Sequence, residues 1–243
     1  MKSFQSYALC FLLSVFFFSC TEEEQGVDFV LEFASVTDIQ GNRYKTVLIG
    51  GKWWMAENLR TGLYRDSSPV NILQSDASWN DTVAGYCIHP SANEAMGYLY
   101  NGYAVENAKG LAPAGWHIAT DQEWKDLEQE LGMDANVSAR NGWRGSNQGD
   151  KLKALGLDNW DRFDPVWATD ERGFSALASG NRIYTGEYGQ PGVRKTAFWW
   201  TATAYSSGGA SELYYRHLDY KFSGVFRQHE IKRYGMSVRC VKD

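Results

Sequence analysis

The His229-Glu230 pair is the first place to look for hydrolytic chemistry. Two imidazoles four residues apart on a helix, with a glutamate beside the first, hold zinc and activate a water. The second imidazole position is Arg233, so that set is incomplete. His89, His117, His217 and His229 are scattered, none at ligand spacing from a Cys or a carboxylate, and they read as surface or strand residues. No Gly-x-Ser-x-Gly elbow, phosphate loop or dinucleotide fingerprint occurs. Asp158, Asp161 and Asp164 offer oxygen ligands to calcium, with a solvated acidic loop as the plainer reading. Paired carboxylates for glycoside hydrolysis need a fixed separation across a cleft, and 29 acidic residues give too many pairs to nominate one. The sequence thus assigns no catalytic residue, no metal ligand and no cofactor, a structural calcium being unsupported.

Aromatic side chains carry the remaining signal. Trp53, Trp54, Trp116, Trp124, Trp199 and Trp200 fall in regular elements and read as core. Trp143, Trp160, Trp167, Tyr184 and Tyr188 fall in Gly- and Asp-rich stretches, where exposed rings stack on sugar faces or anchor a protein partner. Of these, Trp160, Trp167, Tyr184 and Tyr188 are the candidate ligand-binding aromatics, against packing under long loops. Trp79-Asn80-Asp81 spells the sugar-binding tripeptide of calcium-dependent lectins, but it lies far upstream of the last Cys and lacks a Glu-Pro-Asn partner. Asp81-Thr82-Val83 matches the Asp-Thr-aliphatic pattern of O-glycosylation on exported Bacteroidota proteins, which makes Thr82 a candidate acceptor.

These residues need elements to hold them. Phe29 to Phe33 reads as a short strand, and Gly41-Asn42 as a turn between strand-like runs leading through Thr46–Ile49 to Lys52–Leu59. Residues 60–93 are rich in Ser, Asp, Asn and Gly and read as loops. Thr120-Asp-Gln-Glu123 is a capping box, followed by Trp124, Leu127 and Leu131 at helical spacing and by Gly132 as a stop. Lys151–Leu155, closed by Gly156, reads as a second helix with Leu152 and Leu155 inward. Strands are expected at Arg182–Tyr184, Ala197–Thr203, Leu213–Leu218 and Gly235–Val241. With 44% hydrophobic residues in 243, the chain can bury one sizeable core. A formal net charge of −5 without a basic run argues against nucleic acid as a partner.

The first residues give an address. Lys2 precedes an apolar run, Ala8 to Phe18, that is too short to span a bilayer and has the parts of a secretory signal. Phe18-Ser19-Cys20 resembles a bacterial lipobox, in which Cys20 takes a diacylglycerol before residues 1–19 are removed. Two or three acyl chains of the palmitate class make such an anchor effectively permanent. Cys20-Thr-Glu-Glu-Glu-Gln resembles the acidic signal that sends some lipoproteins to the outer face of the outer membrane, with the periplasmic face as the alternative. Residues 20–28 read as an acidic tether. In an oxidising compartment the remaining pair, Cys87 and Cys240, is by default a disulfide. A catalytic thiol pair is the other reading, but no His or Lys stands beside Cys87 to activate it.

The wording of several segments then resembles a known family. Asp38-x-x-Gly41-Asn42-x-Tyr44, Trp54-Met-Ala-Glu-Asn-Leu59, Tyr98-Leu-Tyr-Asn101 and Ala114–Trp124 are similar to the Fibrobacter succinogenes major paralogous domain. So are Gly149–Lys153, Gly173-Phe174, Gly180-Asn-Arg182, Phe198-Trp199 and Gly235–Asp243. His117 and Ala119 stand where that family commonly has Arg and Pro. The resemblance implies an α+β, C-type-lectin-like fold over 29–243, distantly akin to sulfatase-modifying enzymes. That means a mixed twisted sheet, two helices, long irregular loops and neighbouring chain ends. It also implies that Cys87 and Cys240 are the family's recurrent Cys pair. The expected function is a lipid-anchored, non-catalytic surface module that binds glycan or protein. The alternatives are an envelope hydrolase, a sulfatase-modifying-type oxidase, or a structural subunit of a surface complex.

Overall fold

The computed structural model describes residues 31–243 apart from 157, 208 and 209. The signal at 1–19, the lipidation site Cys20 and the tether 20–28 lie outside the described residues, as do the first two residues of the domain expected from 29.

The chain opens with a strand meander. β1 (Phe33–Thr37) and β2 (Arg43–Ile49) pair antiparallel around the Gly41-Asn42 turn. The Asp38 carboxylate ties that turn by accepting from the Asn42 and Gln40 amides, 2.9 Å each, and from the Tyr44 hydroxyl at 2.6 Å. β2 then turns into β3 (Lys52–Met55) through Gly50-Gly51, whose φ values of +58° and +75° suit a tight hairpin that a side chain would strain. Among the described residues the first strand begins at Phe33, opposite Val47, with the Glu32 carbonyl just before it accepting from the Leu48 amide at 3.0 Å; the start of the apolar run predicted at 29–33 lies outside the described residues.

Next come β4 (Asn71–Ile72), α1 (Asp76–Trp79), β5 (Gly85–Cys87), β6 (Leu99–Asn101), α2 (Gly102–Val105) and β7 (Trp116–Ile118). The one long helix is α3 (Asp121–Glu130), and its capping box is complete, with the Thr120 hydroxyl and the Glu123 carboxylate each satisfying the other's backbone. After α4 (Ala135–Ser138) and β8 (Gly142–Arg144) follows α5 (Gln148–Leu152). This helix ends three residues before Leu155, the predicted last helical residue, since Lys153 turns to extended backbone and bridges Ala176. Leu155 is consequently 60% exposed, not inward. The chain finishes with β9 (Thr196–Ser207), β10 (Ala210–Asp219), β11 (Val225–Ile231), β12 (Gly235–Met236) and β13 (Cys240–Lys242). The strand predicted at Arg182–Tyr184 contributes only isolated bridges.

The strands make three sheets, in the orders β1-β2-β3-β13-β7, β8-β11-β10-β9 and β12-β6-β5-β4. The first and last described strands share one sheet. One core cluster gathers Trp54, Trp124, Leu127, Phe174, Trp199 and Leu218, and a second gathers Tyr44, Met55, Tyr100, Trp200, Leu213 and Val238. The fold is α+β, mostly sheet, with short helices. The motifs that carried the resemblance meet at Asn58, which is fully buried. Its carboxamide oxygen accepts from the Trp199 indole at 2.9 Å and Arg239 Nε at 2.7 Å, while its nitrogen donates to the Met96 carbonyl at 2.8 Å. Arg239 in turn donates to the carbonyls of Met55, Phe174 and Ser175. A fully buried guanidinium is tolerable only when its donors are filled in this way. These motif residues are scaffold.

The expected bridge between Cys87 and Cys240 is absent; both are free, buried thiols. Cys240 sits in β13 between β3 and β7, whereas Cys87 ends β5 in another sheet and packs with Leu73, Trp79 and Leu99. Different sheets and different clusters hold the two sulfurs. Burial raises the pKa of both thiols, with the Arg182 charge opposing at Cys87. Neither is an activated nucleophile.

Candidate binding surface

The four-stranded sheet has two unlike faces. Arg144, Arg216 and Arg227 point to the face that packs against α3, where Asp121 and Glu128 receive them. Arg216 donates to Glu128 at 2.6 Å and to Asp121 at 2.8 Å, Arg227 grips both Asp121 oxygens at 2.8 Å, and Arg144 grips Glu128 at 2.6 and 2.9 Å. Burial by itself would raise the Asp121 carboxyl, but the hydrogen bonds from Arg227 and the charge of Arg216 hold it well below the usual range. This network fixes the sheet on the helix.

Side chains alternate along a strand, so the neighbours of those arginines emerge on the opposite face. Trp143 pairs with Phe226, Phe226 with His217, and His217 with Phe198, which places one ring from each of the four strands in a single row. The centroids of Trp143 and Phe226 lie 5.3 Å apart, those of His217 and Phe226 5.9 Å, and His217 stacks on Phe198 at 4.0 Å. Tyr215 adds a further ring, 6.1 Å from both Phe198 and Phe226. At the open end Phe222 stacks on Trp143 at 4.3 Å. Trp143 is 37% exposed and Phe222 46%, while the other ring residues are half-buried. Burial and the nearby Lys153 ammonium push the His217 imidazole down to about 3, so this row is uncharged at neutral pH.

Beside this row lies a pocket of about 240 Å³, lined by Lys153, Trp160, Asp161, Arg162, Trp167 and Tyr220 among others. It brings together two of the four predicted aromatics. Trp167 stands 48% exposed with the Arg162 guanidinium 4.4 Å from its ring, whereas Trp160 is a buried wall whose indole donates to the Ala176 carbonyl at 2.8 Å. Tyr184 and Tyr188 are absent from that lining. Tyr184 is exposed, 5.9 Å from Tyr234. Tyr188 is structural: its hydroxyl donates to the Ile88 carbonyl at 3.2 Å and accepts from Gln74 at 3.1 Å, and its ring packs on the cluster around Cys87. Thr82 is exposed on the loop after α1. Asp161 is paired with Arg194 at 2.9 Å, and among the described residues no group of three His, Cys, Asp or Glu side chains is arranged to hold a metal ion.

The row was hidden from sequence reasoning for an identifiable reason. Val225-Phe-Arg-Gln-His-Glu-Ile231 has a strand run in it, but its His-Glu pair draws attention to zinc chemistry, and β8 is too short to register on its own. Trp143 was visible as an aromatic outside the core; its partners were not. His117 also gained a setting that spacing does not reveal. Its ring nitrogens contact Asp243 at 2.6 Å and Glu123 at 2.9 Å.

Compared with known proteins, the chain matches the family model described as the Fibrobacter succinogenes major domain over residues 47–242. No curated protein and no solved structure matches it.

Proposed function

The chain belongs to the Fibrobacter succinogenes major domain family, and from that premise we propose that it is a non-catalytic binding module of the bacterial envelope, taking a glycan on the aromatic face of its four-stranded sheet. The observation that carries this reading is the in-register row Trp143–Phe226–His217–Phe198, extended by Phe222. The four rings of the row carry no charge at neutral pH, with Glu230 close to Tyr215 at one end, and the row is suited to stacking against the apolar faces of sugar rings. The scaffold motifs mostly lie elsewhere: Asn58, Arg239 and Trp199 are consumed in internal hydrogen bonds, and of the row only Phe198 belongs to a segment that carries the family wording. The two thiols, buried in separate clusters with raised pKa values, do not form the reactive pair that a sulfatase-modifying-type oxidase requires.

The wider setting of this proposal is a C-type-lectin-like domain from 29 to 243, diacylated at Cys20 after removal of 1–19 and displayed on the outer face of the outer membrane. Sheets joined by long loops, and first and last described strands in one sheet, support that reading. The test is a glycan-binding screen of the full chain against Trp143→Ala/Phe222→Ala. Both rings are only part-exposed and pack on their neighbours, so the variant should lose several degrees in Tm yet stay folded by circular dichroism, and it should lose at least tenfold in affinity. Unchanged binding by the double variant, or turnover of a bound saccharide, overturns the reading.

A further inference from the structure

The pocket next to the platform differs from it in charge. Lys153 is buried there, its ammonium donating to Asp150 at 3.0 Å and to the Phe222 carbonyl at 2.8 Å, with the Trp160 ring 5.3 Å away. An ammonium has three donors, so one remains beyond these two. Arg162, exposed and stacked on Trp167, has no carboxylate partner among the described residues. The one carboxylate in the lining, Asp161, is already neutralised by Arg194 at 2.9 Å and Lys195 at 3.9 Å. Lys221 stands over Phe163 and Tyr220 at 5.5 and 5.3 Å, again without an ion pair. Asp219 spends one oxygen on the Lys221 backbone amide, and Asp158 and Asp164 lie on the same loop but outside the lining. In a protein of net charge −5, Arg162 and Lys221 thus stand at one aromatic pocket without an ion pair among the described residues, while Asp219 acts on Lys153 beside Asp150. A volume of about 240 Å³ falls below the ~300–1,000 Å³ typical of larger ligands, which suits one sugar ring.

We propose that this pocket seats an acidic sugar residue, its carboxylate on the Arg162 fork and its ring against Trp167, while the rest of the glycan crosses the platform. The proposal rests on the glycan-binding reading above and names the substrate class for it. Continuity supports the pairing of the two surfaces: Tyr220 lines the pocket, and Phe222, two residues on, stacks on Trp143. An Arg guanidinium presents two parallel donors to a carboxylate, and stacking on an indole holds that fork in place. Lys153 adds positive potential from the floor. Its pKa is lowered by burial, with Asp150 opposing.

The experiment compares tri-galacturonate with its methyl ester by calorimetry on the full chain, in 20 mM and 500 mM NaCl. The expected result is at least tenfold tighter binding of the acid at low salt, a preference that shrinks at high salt because the pair is solvent-facing. Arg162→Gln, an exposed substitution, should bring the acid-to-ester ratio close to one. Arg162→Lys, which keeps the charge but loses the fork, should retain part of it. Equal binding of acid and ester by the unaltered chain, or a ratio preserved in Arg162→Gln, overturns the acidic-sugar assignment and leaves the platform reading intact. If neither ligand binds, the acidic-sugar assignment falls, and the glycan screen with the Trp143→Ala/Phe222→Ala variant decides the platform reading separately.

Discussion

His117 and His217 answer to acid in opposite directions, and the cause is local in each case. Burial alone would lower His117, but its hydrogen bonds to Asp243 and Glu123 raise it above 6.5. A raised folded value gives stability that is complete below the unfolded pKa and is lost as pH rises through the folded one. His217 is the reverse: with a folded value of about 3 against 6.5, its contribution is present above 6.5 and drains away as pH falls towards 3. Melting temperature followed from pH 4.5 to 8.5 should therefore fall on both sides of a maximum near 6.5. On the acid side the slope attributable to His217 approaches about 1.4 kcal/mol per pH unit. His217→Phe should flatten that acid limb alone, since the ring already stacks on Phe198 and its Nε2 has no partner to lose. His117→Gln should flatten only the alkaline limb. An acid limb unchanged in His217→Phe would contradict the assignment. Neither behaviour was legible in sequence, because both depend on residues 6 to 126 positions away.

Between α3 and the four-stranded sheet, a buried ionic network lies beside the apolar contact of Trp124 and Leu127 with Trp199 and Leu218. The helix was readable from its capping box and from Trp124, Leu127 and Leu131. Its acidic residues give no sign in the sequence of being buried, yet Glu128 is fully buried and Asp121 nearly so. Only the register of β8, β10 and β11 explains this, by bringing three arginines onto that side. Removing one partner from such a group leaves the other charges unpaired in low dielectric, at a cost of about 3–5 kcal/mol. Glu128→Ala is accordingly expected to lower urea-unfolding stability by that amount. Lys52→Ala, which breaks a half-exposed pair with Glu123, should cost under ~1 kcal/mol. Similar values for the two variants would show that the network contributes no special coupling. The shift of α5 has the same lesson on a smaller scale: Lys153 leaves the helix for Ala176, a tertiary partner that helical periodicity cannot announce.

Across the whole molecule, the sequence conveyed the class of fold and the family, and it singled out aromatic rings outside the core. It misjudged the thiols, and two of its aromatic candidates, Trp160 and Tyr188, donate hydrogen bonds to internal carbonyls. Cys parity and compartment are only statistical guides, and they were overridden when β5 and β13 entered different sheets. Cys87 and Cys240 should resist alkylation until the protein unfolds, and dithiothreitol should leave Tm unchanged; peptide mass mapping after labelling distinguishes this from a bridge. Tyr188 and Trp160 were correctly suspected of lying in loops, but loops here fold down onto the core, and each ring is engaged by a carbonyl waiting beneath it.

One arrangement in the sheet has a broader consequence. On β8, β10 and β11 each arginine that grips α3 is the immediate sequence neighbour of a ring in the row: Arg144 beside Trp143, Arg216 beside His217, Arg227 beside Phe226. Slippage by a single position would turn every one of these side chains over at once, hiding the rings and stranding the charges. The salt-bridged side consequently acts as a lock on the geometry of the exposed side. Substitutions confined to the ring positions leave that lock untouched, so the chemistry of the exposed face can change while the frame beneath it stays rigid.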